Sequence, residues 1–354
     1  MGRVLFTGIY PGLYGGLERF AERAAELLRR RGHTVDVVAD PPEELGDYDF
    51  VLMQKIPRTV GDLRRLKAKY GEKLFFYAHD HELYCLRRHY YTPTRCNCDR
   101  MYSPIPCRLC AAVTRPQWVW RALTRPMRDF QREMADLRAF VPATYIKRNL
   151  VRAGLKPENV TVLPPLFLDT EAPEFGIKRT GWMPADRLRI LFMGQLIAGK
   201  GCGMLLDAVS RMKAPHTLTV VGTGRDEPKL RASAGSDVVF TGWQENAQRF
   251  FADADVCAVP SLWNEPYGTV GAEALAHGVP VVTFDVGGLR DWLRPGETGF
   301  FASAKTPQAL AETLDRCADR ELLAKMSEGA YAVTRERHSV KVFIETLERT
   351  GGIA

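Results

Sequence analysis

The stretch Pro260–Gly288, PSLWNEPYGTVGAEALAHGVPVVTFDVGG, decides the fold. Just before it, Val256 to Val259 is a strand-like apolar run that stops at Pro260. An irregular segment carries Glu265, a helix-like run from Gly268 to His277 holds Glu273, and a second apolar strand begins after Pro280. Strand, loop, helix, strand is the unit that builds parallel sheets. In open sheets of this type ligands sit beyond the carboxyl ends of the strands, which puts the Glu265 loop on the binding edge. The helix start brings unpaired backbone N–H groups and a positive dipole end there, a setting that suits a phosphate. A single glutamate is ordinarily a surface residue. Glu273, a little over a turn into the helix, could instead accept hydrogen bonds from both hydroxyls of a ribose, and Glu265 could do the same for a sugar ring.

The whole string resembles the signature of retaining glycosyltransferases of the GT4 type, which have the GT-B fold. Glu265 and Glu273 match the two acids of that family's E-x7-E motif, and Gly268, Ala274, Gly278, Pro280, Gly287 and Gly288 stand where its pattern puts them. The resemblance implies an α/β chain with two Rossmann-like domains whose parallel sheets face each other across a cleft. It implies a donor site formed by Glu265, Pro266, Tyr267, Gly268, Thr269, Val270 and Glu273, in which Glu265 positions the sugar and forms no covalent bond to it. The expected reaction moves a sugar from a nucleotide-diphosphate sugar to a glycan, lipid or other small acceptor, in cell-envelope polysaccharide or glycoconjugate synthesis. A nucleotide-sugar epimerase or another GT-B enzyme is the alternative on the same fold. A zinc-stabilised nucleic-acid-binding protein is the alternative from another class, but no recognisable nucleic-acid module is present, so nucleic acid is not an expected partner.

At 354 residues the chain is about right for two domains of ordinary size. Working outward from the central stretch places an N-terminal acceptor domain at 1–168 with a cysteine-bearing insert at 80–115. A nucleotide-sugar domain follows at 187–335, then a helix at 336–354 that crosses back in many GT-B proteins. The composition, 45% hydrophobic and 26% charged, is globular, and the formal charge of +7 favours polyanionic partners such as nucleotide diphosphates or anionic lipid head groups. No apolar run approaches the length that spans a bilayer, and the N-terminus has no signal-peptide layout. The expected location is the cytoplasm, with peripheral contact at the inner face of the membrane left open.

Arg3–Gly8 and Arg189–Gly194 are alike, each an apolar strand ending in glycine before a helix-like run, an echo that suggests two domains on one plan. In the first, Gly15 and Gly16 permit a tight turn that brings backbone close to a ligand, and the resemblance makes this the loop facing the donor phosphates. Strands at Thr34–Val38, Phe50–Met53 and Leu74–Ala78 follow, and His79 at the end of the third points into the crevice. Lone histidines are more often structural, but by resemblance His79 lies close to the donor sugar and counts as catalytic. Asp80 and His81 are weaker candidates.

Five of the eight cysteines lie between Cys85 and Cys110. Cys96-Asn-Cys98 and Cys107-Arg-Leu-Cys110 could supply four thiolates to a structural Zn2+; disulfide or redox pairing and incidental thiols are the other readings. From Pro116 to Leu137 a helical pattern sets Arg121, Arg125, Arg128 and Arg132 opposite an apolar face, with Pro126 dividing it. This is a solvated face or, with Trp118 and Trp120, a contact for an anionic membrane or a lipid-linked acceptor. A Pro- and Gly-rich linker occupies 164–186.

The second half opens with Gly194-Gln-Leu-Ile-Ala-Gly-Lys200. The resemblance places Lys200 on the donor diphosphate as a catalytic cation, while Gln195 stands where the family usually has a second, charged grip. Gln195 donates hydrogen bonds without charge, so either donor affinity is lower or another arginine compensates; Arg225, just past Gly222 and Gly224, is available nearby in sequence. No D-x-D pair stands out, and no catalytic metal is expected. After Gly299 the pattern is helical to the end.

Overall fold

The computed structural model describes residues 1–10, 16–113, 125–166 and 186–353. The chain forms two compact units, Met1–Phe167 with Ser339–Ala354, and Leu168–His338.

The N-terminal unit is a six-stranded parallel sheet: β1 (Arg3–Thr7), β2 (Thr34–Val38), β3 (Phe50–Met53), β4 (Leu74–Tyr77), β5 (Arg138–Val141) and β6 (Val160–Val162), in the order β2-β1-β3-β4-β5-β6. Its strands are continuous apolar runs because both faces are covered. Successive side chains alternate between two cores, as the strand period of two requires. Leu5, Val51, Met53 and Phe76 join Leu63, Phe130 and Ile146 on one face. Val4, Phe6, Phe50 and Phe75 join Phe20 and Leu28 on the other.

That second core also takes Phe343, Ile344 and Leu347 from the helix Val340–Gly351, so the end of the chain belongs to this unit. Phe343 meets Phe20 edge-on at 5.7 Å, Arg31 and His33 reach Glu348, both at 3.2 Å, and Arg138 donates to the Thr350 carbonyl at 2.6 Å.

The C-terminal unit is a second parallel sheet: β7 (Leu188–Met193), β8 (His216–Val221), β9 (Val238–Gly242), β10 (Val256–Val259), β11 (Val281–Thr283) and β12 (Gly299–Phe301), ordered β12-β11-β10-β7-β8-β9. The chain is therefore not wholly helical after Gly299: β12 completes the sheet before helices Pro307–Arg316 and Arg320–His338. Asp255, fully buried, locks the start of β10 to β7 by accepting from Arg189, whose guanidinium lies 2.7 Å away, with Arg320 at 2.9 Å. Burial alone would raise that carboxyl; the hydrogen bonds from Arg189 and Arg320 outweigh it and hold the pKa below the usual range.

Both orders contain a reversal. The first strand sits inside the sheet, the chain builds outward on one side, then returns to build on the other. The crevice at such a reversal is where open sheets bind ligands. In the N-terminal unit it lies between β1 and β3, and in the C-terminal unit between β7 and β10.

Candidate functional site

In the C-terminal unit the loops leaving β7 and β10 are stitched together. The Leu262 N–H donates to the Gly199 carbonyl at 2.9 Å. A Cβ on Gly199 would meet the Trp263 ring at 2.2 Å, and one on Gly201, at φ 76°, would strike the Pro260 carbonyl oxygen at 1.8 Å. Only glycine lets these backbones approach so closely.

The consequence is a cluster on one carboxylate oxygen. Glu265 Oε1 accepts from Lys200 Nζ at 2.8 Å, Ser261 Oγ at 2.5 Å and Trp263 Nε1 at 2.7 Å. Lys200 also lies over the Trp263 ring, 5.2 Å from its centroid. Glu265 is buried, which by itself would raise its pKa; Lys200 and the two neutral donors reverse the sign and keep it ionised. These donors all go to Oε1, and a carboxylate has a second oxygen with its own lone pairs. The Glu265 backbone is clamped as well: its carbonyl accepts from the Gly288 N–H at 2.9 Å, and Gly287, at φ 58°, has no room for a Cβ beside it.

Gly268, at φ 75°, precedes the helix Thr269–Ala276 without a side-chain cap, and Thr269 is exposed there. Glu273 is buried on this helix, whose apolar surface runs all round it. Tyr267 is turned inward, its hydroxyl 3.0 Å from His338 Nε2, so what it offers a ligand is backbone. Pro266 and Val270 are half-buried on either side. Beyond β7 and β8, a Cβ on Gly222 would strike the Gly194 carbonyl and one on Gly224 that of Leu196, so both glycines serve loop packing. Gln195 and Arg225 are exposed, Arg225 lying 3.6 Å from Asp226.

In the N-terminal unit His79 follows β4, and its Nε2 lies 2.5 Å from Oε1 of Gln54, which follows β3. With Oε1 accepting, Nε2 carries the hydrogen and Nδ1 keeps a lone pair. The ring stacks on Tyr77 at 4.4 Å and meets Phe20 edge-on. Burial, with smaller contributions from Lys55 and Arg88 against Asp80, pushes its pKa down to about 3, so the imidazole is neutral. Gly16 opens the helix Gly16–Arg30 with open space where a Cβ would be; Gly15 lies outside the described residues. Asp80 and His81 have structural partners. Asp80 holds Arg88 and the Glu82 N–H, and His81 is buried against Tyr84, Tyr90 and Tyr145.

The four-cysteine zinc set is not assembled. Cys96 and Cys98 lie on a small hairpin, each directing its thiol to a nearby carbonyl, Thr94 and Arg100. Cys107 accepts from the Ser103 N–H, and Cys110 faces Arg87. Burial raises the pKa of Cys107 and pushes that of Cys85, outside the set, up to about 11. Among the described residues no three His, Cys, Asp or Glu form a group able to hold a metal ion. Of the arginine-bearing pattern, Met127–Met134 is helical, with Arg128 and Arg132 exposed; Trp118, Trp120 and Arg121 lie outside the described residues, as do residues 167–185 of the linker expected at 164–186.

Ser261, Trp263 and Gln54 escaped the sequence reading. A signal existed for each: a donor within four residues of Glu265 on one loop, and a polar residue directly after an all-apolar strand.

Residues 187–320 match the family model described as Glycosyl transferases group 1. That part of the chain is similar to group 1 glycosyltransferase domains. It contains Lys200, Ser261, Trp263, Glu265 and Glu273. The chain is 35% identical over 162 residues to a phosphatidyl-myo-inositol mannosyltransferase of Mycobacterium leprae, covering 43% of each protein. It is 30% identical over 151 residues to the lipopolysaccharide core biosynthesis glycosyltransferase LpsE of Rhizobium meliloti, covering 41% of this chain and 44% of LpsE. Across four relatives the chain spans between 39% and 52% of the relative's length. At 26% identity the match to a Mycobacterium tuberculosis phosphatidyl-myo-inositol mannosyltransferase extends over 92% of this chain and 90% of that protein. Among solved structures, Anabaena HepE in complex with UDP and glucose superposes with a TM-score of 0.69 over all of both chains at 18% identity. WaaG, a glycosyltransferase involved in lipopolysaccharide biosynthesis, gives 0.64 over 99% of this chain and 100% of its own, at 17%. These likenesses show the fold: α/β, two parallel sheets, GT-B. Among the described residues no helix is long and apolar enough to cross a membrane.

Proposed function

We propose that the chain is a retaining glycosyltransferase of the GT4 type, working in the cytoplasm. It moves a hexosyl group from a nucleoside-diphosphate sugar to a glycan, a lipid-linked sugar or another small acceptor of cell-envelope polysaccharide or glycoconjugate synthesis. The observation that carries this is the buried, ionised Glu265, held through one oxygen by Lys200, Ser261 and Trp263 beside a helix start. Its other oxygen accepts from hydroxyls of the donor sugar. Lys200 and the amides at Gly268, Thr269 and Val270 meet the charge that builds on the departing diphosphate, which is electrostatic stabilisation without a metal. Gln195, Gly222, Gly224 and Arg225 border the diphosphate, Glu273 takes the ribose, and Gly15, Gly16 and His79 contribute from an N-terminal acceptor domain. HepE, a neighbour in fold, is solved with UDP-glucose, which supports a donor of that class.

In the reaction the bond from C1 of the sugar to the diphosphate breaks and the acceptor oxygen bonds to C1 on the same face. The acceptor's proton passes to the leaving phosphate oxygen, so no side chain acts as nucleophile.

The test has two parts. A panel of nucleoside-diphosphate sugars, UDP-glucose first, should contain one that raises the melting temperature by mass action. With that donor, Glu265→Ala should cut transfer roughly a hundredfold or more while nucleoside-diphosphate affinity changes little. A panel without a stabilising member, or an unchanged transfer rate, overturns the reading.

A further inference from the structure

Gln54 is a buried side chain with only half of its amide in use. It stands directly after β3, 1% exposed, its backbone N–H donating to the Thr7 carbonyl at 2.8 Å. Its Oε1 lies 2.5 Å from His79 Nε2, while its own Nε2 is sealed from solvent with no hydrogen-bond partner among the described residues. A buried amide arm left unpaired costs stability, and a methionine or leucine of similar size would avoid that cost. Packing therefore does not account for a glutamine at this position; its effect on His79 does.

The imidazole that Gln54 meets is held by rings as well. Tyr77 stacks on it at 4.4 Å and is itself tied through its hydroxyl to the Leu163 carbonyl at 2.6 Å; Phe20 meets it edge-on at 5.1 Å. An amide oxygen facing Nε2 selects the neutral imidazole with its hydrogen there, which leaves Nδ1 as an acceptor. Nδ1 has no partner among the described residues, is not sealed as the Gln54 Nε2 is, and belongs to a half-buried residue. His79 stands past the carboxyl end of β4, the edge where sheets of this kind take their ligands. A nitrogen that can only accept suits a hydroxyl, which has a hydrogen to give, and not an anionic oxygen. We infer that Gln54 is a positioning residue that keeps the His79 hydrogen on Nε2, so that Nδ1 accepts from a sugar hydroxyl and the ring passes no proton to the substrate. That the hydroxyl belongs to a sugar rests on the transferase reading; the place of the hydrogen does not.

The test begins with long-range 1H–15N NMR of the 15N-histidine-labelled chain near neutral pH, the His79 signals being identified by their loss in His79→Phe. Wild type should show the hydrogen on Nε2 and a bare Nδ1. Gln54→Met should move much of the population to hydrogen on Nδ1, and Gln54→Leu is the second variant should the first fold poorly. With the stabilising donor, either substitution should lower transfer roughly tenfold. Placed in the His79→Phe background, the same substitution should change transfer within about twofold, because Gln54 acts through the ring; a merely structural role would cost the same in both backgrounds. The inference is overturned if wild-type His79 carries its hydrogen on Nδ1, as the opposite orientation of the amide would require. It is equally overturned if neither variant changes the form of the ring, or if their cost to transfer persists without the imidazole. Should no nucleoside-diphosphate sugar serve as donor, the transferase reading fails, and the NMR spectra still decide whether Gln54 places the hydrogen.

Discussion

At the reversal point of the C-terminal sheet a lysine and a glutamate are locked together at 2.8 Å; beyond β3 and β4 of the N-terminal sheet, one strand along from its reversal, the side chains that meet are a neutral histidine and an amide. Both pairs stand on loops leaving the carboxyl ends of neighbouring or near-neighbouring strands, so topology accounts for their position and not for their character. The difference lies in what supports each pair. Glu265 is surrounded by donors that outweigh the cost of burying its charge. His79 is surrounded by Phe20 and Tyr77, which leave burial to decide. One pair is held charged and the other neutral, as expected if a diphosphate belongs to the first and sugar hydroxyls or an uncharged acceptor to the second.

The hardest blow to this contrast is to discharge the first edge. Lys200→Met strands the Glu265 carboxylate with two neutral donors. Lys200 is 27% exposed, so the loss of stability should be about 2–3 kcal/mol, somewhat below that for a fully buried pair. Transfer should fall roughly a thousandfold, because a diphosphate would lose its cation as well. Adding Glu265→Gln removes the stranded charge, and denaturant unfolding should then recover most of the lost stability while transfer stays lost. If stability is not recovered, the ion pair is not what holds the edge together.

A smaller effect separates the edges by backbone. Gly201→Ala puts a Cβ where φ is 76° and the Pro260 carbonyl is 1.8 Å away, so the β7 and β10 loops must part. The conformational strain alone is on the order of 1–3 kcal/mol, and transfer should drop with stability. Gly16→Ala, where nothing lies within 4 Å, should leave unfolding unchanged or slightly improved, as glycine-to-alanine changes in helices do. Equal destabilisation by both would mean that the tight loop contact is not special to the C-terminal edge. The check is a pair of urea-unfolding curves.

Much of the sheets was readable from the sequence because the strands are short apolar runs, several closed by glycine, proline or a polar residue, as β1, β3, β5, β7 and β10 are by Gly8, Gln54, Pro142, Gly194 and Pro260. β12 was missed because three residues, Gly299–Phe301, are too few to show a period. Glu265 and Lys200 were readable as residues on strand-end loops; their contact was not, since it depends on β7 and β10 being neighbours although the two residues lie 65 positions apart in the chain. The pairing of Gln54 with His79 was unreadable for the same reason, the two lying 25 positions apart across the β3–β4 pair. The cysteines misled because spacing records how far apart thiols lie along the chain and not where their sulfurs point. Those of Cys96 and Cys98 go to the Thr94 and Arg100 carbonyls, and that of Cys107 to the Ser103 N–H.

The mildest prediction concerns the neutral edge. The His79 pKa is lowered from 6.5 to about 3, so between those values the unfolded chain binds a proton that the folded chain refuses. The stability this confers is fully present above the unfolded pKa and is lost as pH falls toward the folded one, with a slope of up to about 1.4 kcal/mol per pH unit. His79→Phe should remove that slope, so the difference in unfolding free energy between variant and wild type should shift between pH 6.5 and pH 4.5 and stay constant above pH 7. The groups facing the ring fit this sign: Lys55 and Arg88 oppose protonation, and Asp80, which favours it, is already engaged with Arg88. Near neutral pH the histidine carries no charge to lose, so transfer between pH 7 and 8 should show no step that His79→Phe abolishes. An imidazole that titrates near 6.5 by NMR would place a cation at the N-terminal edge and erase the contrast between the two.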